Sequence, residues 1–94
     1  MITREHAREK LESYLRQQVG ERDAQAAAAL RFSADFDLID NRVVDSLGFM
    51  GLLMVIEELA DQPIDMQALD ADDFRTVDRI GARFLAHLPS VAHV

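Results

Sequence analysis

The 94-residue sequence contains no cysteine and no tryptophan, only one tyrosine, two prolines and four glycines. Without cysteine there is neither a disulfide framework nor a thiolate metal site, and any thiol chemistry must come from an attached group. No apolar run approaches the length of a membrane span, so no membrane insertion is expected. The N-terminus, Ile2-Thr3-Arg4-Glu5-His6, turns polar at once and offers no apolar signal region, which makes the cytoplasm the expected location. Positive charge is scarce in one part of the chain. Up to Ala34 there are six Lys+Arg against five Asp+Glu, and from Asp35 onward four against twelve, giving the formal charge of -7. Such a surface repels nucleic acid and favours partners with basic patches, mainly through encounter rate and orientation.

What is present is 49% hydrophobic and 29% charged residues, the balance of a soluble globular domain. The length allows one domain, too small for a large internal cleft. Ala7, Leu11, Leu15 and Val19 recur every four residues, with Thr3 able to cap the start and Gly20 to stop the run, which predicts an amphipathic helix over about 3–19. Residues 20–45 lack one sustained period and read as a long connection with apolar anchors, within which Ala24 to Leu30 can form a short helical piece. A strongly apolar stretch follows over about 46–60, with Asp45 and Ser46 supplying the carboxylate and hydroxyl preferred at a helix start. A short acidic helix is predicted over about 69–74. The last helix is predicted over about 76–88, capped by Thr76 and closed by Pro89. No strand pattern competes. The fold class is all-α: a small helix bundle with three main helices and one or two short ones.

The helix over 46–60 has two apolar faces. Phe49, Leu52, Leu53, Ile56, Leu59 and Ala60 form the broad core arc. Leu47, Met50 and Met54 form a second strip, flanked by Glu57, Glu58 and Asp61, with Gly51 between them. An apolar strip with an acidic rim either docks a partner or packs beneath the long connection; periodicity alone does not separate the two. Gly48 and Gly51 each cost roughly 1 kcal/mol relative to alanine inside a helix, which points to close approach by another group or to tolerance near a helix end.

The stretch Asp37-Leu38-Ile39-Asp40-Asn41-Arg42-Val43-Val44-Asp45-Ser46-Leu47, centred on Asp45-Ser46-Leu47 and followed by a long apolar helix ending in Glu57-Glu58, resembles the acyl carrier protein family. The order of elements matches that family over essentially the whole chain. The resemblance implies that Ser46 carries 4'-phosphopantetheine, transferred from coenzyme A by a separate phosphopantetheinyl transferase that supplies Mg²⁺ and the base. It implies a non-catalytic carrier, with Asp45 recognised by the transferase and Leu47, Met50 and Met54 touching partner enzymes. Gly51, Glu57, Glu58 and Asp61 are counted with that interface. Two departures stand out. Gly48 and Gly51 lie where fatty-acid carriers tend to have acidic residues, and Arg42 lies where many members have glycine. The segment Leu69-Asp70-Ala71-Asp72-Asp73-Phe74-Arg75-Thr76 looks more like the D-alanyl and other stand-alone aminoacyl carriers, which implies an adenylating ligase or acyltransferase as loading partner and aminoacyl- or acyl-transferring enzymes downstream. A monomer is expected, since a carrier needs the strip free.

Other chemistries are poorly supplied. A serine hydrolase would need a G-x-S-x-G elbow and a nearby histidine, whereas His6, His87 and His93 all lie outside the motif region. No histidine pair has metal-ligand spacing, and Asp70, Asp72 and Asp73 lack the glycine and closing glutamate of a calcium loop, so no metal site is expected. The alternative to a carrier is an unmodified docking module of the same fold. Phe49, Leu53 and Ile56 mark a conceivable cargo pocket, with core packing the plainer assignment.

Overall fold

A computed structural model of the chain describes residues 2–90. Helix α1 spans Arg4–Gly20, α2 Ala24–Ala29 and α3 Gly48–Ala60; two short 3₁₀ turns, Met66–Ala68 and Ala71–Phe74, lead to α4, Val77–Ile80, which widens into a π-helical turn over Gly81–Leu85. The described residues are helical or irregular, with no strand, and the architecture is a small helix bundle.

Local chemistry accounts for each helix. Thr3 caps α1 by accepting the His6 N–H at 3.1 Å, and Ala7, Leu11, Leu15 and Val19 are all buried. Asp23 caps α2 through the N–H groups of Gln25 and Ala26, so the alanine-rich piece of the long connection is a helical turn. Thr76 caps α4 by accepting the Arg79 N–H at 3.0 Å. The core joins Leu11 and Leu15 of α1, Leu52 and Ile56 of α3, and Val77 and Ile80 of α4, with Phe74 among them.

Some boundaries differ from expectation. The last regular helical turn ends at Leu85 rather than Leu88, and Pro89 serves instead as an acceptor for the Arg4 N–H at 2.8 Å, tying the two ends of the described chain together. The short acidic helix begins at Ala71, after Asp70 caps it through the Asp72 N–H. Helix α3 starts at Gly48, two residues later than predicted, because the turn at 45–47 is built around Asp45.

The segment between α2 and α3 is pinned, and this is what fixes the approach to Ser46. Asp37 Oδ1 accepts the N–H groups of Ile39 and Asp40, and its Oδ2 accepts from Arg75 at 3.1 Å. Arg75 also pairs with Asp72 at 2.6 Å, and its carbonyl accepts the Leu38 N–H. Leu38, fully buried, returns its own carbonyl to the N–H groups of Val43 and Val44, which anchor the end of the segment in the core. The reversal between them passes through Arg42 in the left-handed region, φ 57°, where glycine is the unstrained residue.

This clasp carries a pH signature. The Asp40 N–H, then the Arg75 guanidinium and the Ile39 N–H, hold the Asp37 carboxyl below the usual carboxylate range, against a partly opposing cost of desolvation. A depressed folded pKa gives stability that is fully present above the unfolded value, near 4, and is lost as the pH falls through the folded one. Asp37→Asn keeps an oxygen for the backbone donors but removes the charge. Its melting temperature is expected to lie below the parent's at neutral pH, with the gap closing on acidification below about pH 4. A gap constant down to acid pH would show that the charge contributes nothing.

Candidate functional site

Ser46 sits in the turn that opens α3, and its side chain is exposed. The capping work falls entirely to Asp45. Its Oδ1 accepts the Gly48 N–H at 2.7 Å and its carbonyl accepts the Phe49 N–H at 2.9 Å. Ser46 therefore does not share the cap, contrary to the sequence reading, and among the described residues its Oγ has no hydrogen-bond partner. The residue is a free hydroxyl held on a fixed turn next to a helix N-terminus, where the aligned peptide dipoles favour an anion. Asp45 itself lies 3.7 Å from Arg22, whose other guanidinium nitrogen donates to the Arg42 carbonyl at 3.0 Å. One cation is thus held against Asp45, the residue before the serine, by two acceptors from the pinned segment.

The second apolar strip is exposed. Leu47 is 90% exposed, Met50 58% and Met54 67%, so nothing in the long connection covers them. Met66, 56% exposed, is a further large apolar surface residue that the sequence pattern did not single out, since it lies beyond the helix whose periodicity defines the strip. The acidic rim is less uniform. Glu57 turns its carboxylate to the Ile64 N–H at 2.9 Å and so holds the chain after α3. Asp61 terminates α3 in the left-handed conformation, φ 55°, donating its N–H to the Glu57 carbonyl. Glu58 lines the groove between α1 and α3.

Gly51 belongs to that seam and not to the strip. A Cβ there would stand 2.5 Å from the Tyr14 hydroxyl, so the glycine makes room for a tyrosine from α1. Gly48 is needed less: a Cβ would meet Asp45 Oδ1 at 3.2 Å. Close approach by another group is thus the reason for one glycine of the pair.

A cleft of about 220 Å³ opens beside Ser46. Its floor is apolar, from Leu15, Val43, Val44 and Leu52, and its α1 wall is polar, from Tyr14, Gln18, Glu21 and Arg22. Burial first, and the Glu21 carboxylate second, push the Tyr14 hydroxyl up from its ordinary pKa, so it stays protonated at neutral pH. The cleft is distinct from the one considered in the sequence. Leu53 and Ile56 are buried, and the half-buried Phe49 ring packs edge-on against Phe74 at 5.0 Å, so these three are core.

Other polar groups singled out in the sequence are paired elsewhere in the fold. Asp72 pairs with Arg75, Asp73 with Arg83 at 3.5 Å, and His87 Nε2 lies 2.7 Å from the Ala60 carbonyl at the end of α3. His6 is exposed on α1, and His93 lies outside the described residues. Among the described residues no group of three His, Asp or Glu side chains is gathered for a metal, and no helix is long and apolar enough to cross a membrane. The chain matches no family model, no curated protein and no solved structure.

Proposed function

We propose that this chain is an acyl carrier: a non-catalytic domain that takes up 4'-phosphopantetheine on Ser46 and presents an acyl or aminoacyl thioester to partner enzymes. The observation that carries the reading is an exposed serine hydroxyl with no intramolecular hydrogen bond, set on an Asp45-capped turn beside an exposed Leu47-Met50-Met54 strip.

The residues present fit the group. A phosphodiester at Ser46 Oγ would stand in solvent, next to the α3 N-terminus and the positioned Arg22 guanidinium, and needs no buried charge. In the loading step Ser46 Oγ attacks the phosphorus of coenzyme A that bears the pantetheine. A new O–P bond forms, the pyrophosphate P–O bond breaks and releases the adenosine bisphosphate portion, and the serine proton passes to a base of the transferase. The arm supplies the thiol that this cysteine-free chain lacks. Leu47, Met50 and Met54 give a flexible apolar contact surface suited to successive enzymes, and methionine adapts to partners of different shape. An adenylating ligase or acyltransferase would load the thiol. The acidic second part of the chain would steer partners with basic docking faces.

The test is intact-protein mass after incubation with coenzyme A, Mg²⁺ and a broad-specificity phosphopantetheinyl transferase. One added phosphopantetheine, absent from a folded Ser46→Ala control, is the expected result. No addition with several transferases would leave the unmodified docking module as the better account.

A further inference from the structure

We propose that the arm on Ser46, when it carries no cargo, lies along the seam between α1 and α3 with the Tyr14 hydroxyl as its central hydrogen-bonding partner. The inference rests on the carrier reading above and concerns where this chain's own residues hold the arm.

Two clefts lie along the seam, and Tyr14 belongs to both. The 220 Å³ cleft is lined by Asp45, Leu47 and Gly48, the chain neighbours of Ser46, which makes it the nearer of the two to a group attached there. The second, a more open groove of about 500 Å³, lies between the two helices at Val55, Glu58 and Leu59. Tyr14 lines both, and Gly51 leaves the space its hydroxyl occupies. From Gly48 to Leu59 the helix rises about 16 Å, enough length for an extended arm rather than for its first bonds alone.

The chemistry follows the same order. At the end of the cleft lined by Asp45, Arg22 is held by Asp45 and the Arg42 carbonyl, and its charge suits a phosphodiester. Next come the apolar floor residues Leu15, Val43, Val44 and Leu52, which suit the arm's branched dimethyl carbon. The arm then has a hydroxyl and two amides, and laying amides against a partly buried surface is unfavourable unless each finds a partner. Gln18 offers a donor and an acceptor, Glu21 accepts an N–H, and the Tyr14 hydroxyl does both. Among the described residues that hydroxyl has no hydrogen-bond partner, although Tyr14 is half-buried. The other side of α3 offers no comparable path from Ser46: Phe49 closes it against Phe74, and the cleft at Pro63 and His87 lies at the far end of the helix.

The composition supplies a reporter, because Tyr14 is the only tyrosine and there is no tryptophan. Intrinsic fluorescence therefore reads this one site. The experiment compares the wild-type chain and Tyr14→Phe, each converted to the phosphopantetheine form and verified by intact mass. The readouts are tyrosine emission in the wild type and, in both, the rate of thiol alkylation by iodoacetamide. Loading is expected to change the Tyr14 emission. The wild-type thiol is expected to react about fivefold more slowly than that of Tyr14→Phe, the factor that loss of one net hydrogen bond gives. Tyr14→Phe removes no intramolecular hydrogen bond and should fold as the parent does. Full loading with unchanged emission and equal alkylation rates overturns the inference and leaves the carrier reading standing. A chain that takes up no arm overturns both.

Discussion

Ser46→Ala is expected to unfold at the parent's temperature and to take up no arm, whereas Asp45→Ala is expected to lose stability while keeping the nucleophile. The two residues are adjacent, yet the turn gives them separate duties. Asp45 makes both capping contacts, at 2.7 Å to the Gly48 N–H and through its carbonyl at 2.9 Å to the Phe49 N–H. Removing that side chain leaves an orphan donor at the start of α3, a loss of about 1 kcal/mol. In a domain of this size that lowers the melting temperature by about 4–8 °C. The Arg22 pair, 3.7 Å apart with both side chains about half exposed, adds little to this. Ser46 Oγ makes no such contact and the residue lies exposed in the turn before α3, so its replacement changes only the chemistry. Thermal unfolding of the two variants beside intact-mass loading assays gives the crossed pattern. A Ser46→Ala chain that melts several degrees lower would show that the hydroxyl does structural work; one that still gained mass would show that another residue is the acceptor.

The helices were legible in the sequence wherever a local signal fixed them. The four-residue spacing of Ala7, Leu11, Leu15 and Val19 placed α1, and Thr3 and Thr76 each cap the helix they were read to cap. The strip of Leu47, Met50 and Met54 was legible as a second apolar face, but its exposure was not, because that depends on where residues 20–45 run. Their path is set by Asp37 and Arg75, 38 positions apart, and no periodicity carries a contact of that separation. The glycine pair shows the same division. The helix cost of Gly51 signalled that something approaches, and only the packing of α1 against α3 identifies it as Tyr14. Likewise Glu57 read as a rim carboxylate in projection, while in the fold its carboxylate holds the Ile64 N–H; Asp61 stays exposed and its backbone ends the helix. The cleft beside Ser46 had no sequence signature, since its two walls come from residues of α1 and of the segment before α3.

Phe74→Ala is expected to remove most of the domain's stability. Phe74 is fully buried, with its ring 5.0 Å from Phe49 of α3 at 80° and 5.2 Å from Phe84 of the last helix at 29°. Its ring joins α3 and the last helix to the turn between them. Truncating a buried phenylalanine costs about 3–5 kcal/mol, through lost transfer energy and the cavity left behind. The aromatic pairs add about 0.5–1.5 kcal/mol beyond burial, within the same measured range. A domain of this length has of order 5–10 kcal/mol in total, so urea unfolding should begin at low denaturant. The effect reaches the site through Phe49, whose N–H is one of the two donors capped by Asp45: when its ring loses Phe74, the first turn of α3 loses its packing while keeping its hydrogen bonds. Phe74→Leu, which retains most of the volume, should cost well under half as much. A loss below about 1 kcal/mol for the alanine variant would mean that the cluster collapses to fill the space, and that the start of α3 is held by the Asp45 turn and the Asp37–Arg75 clasp alone.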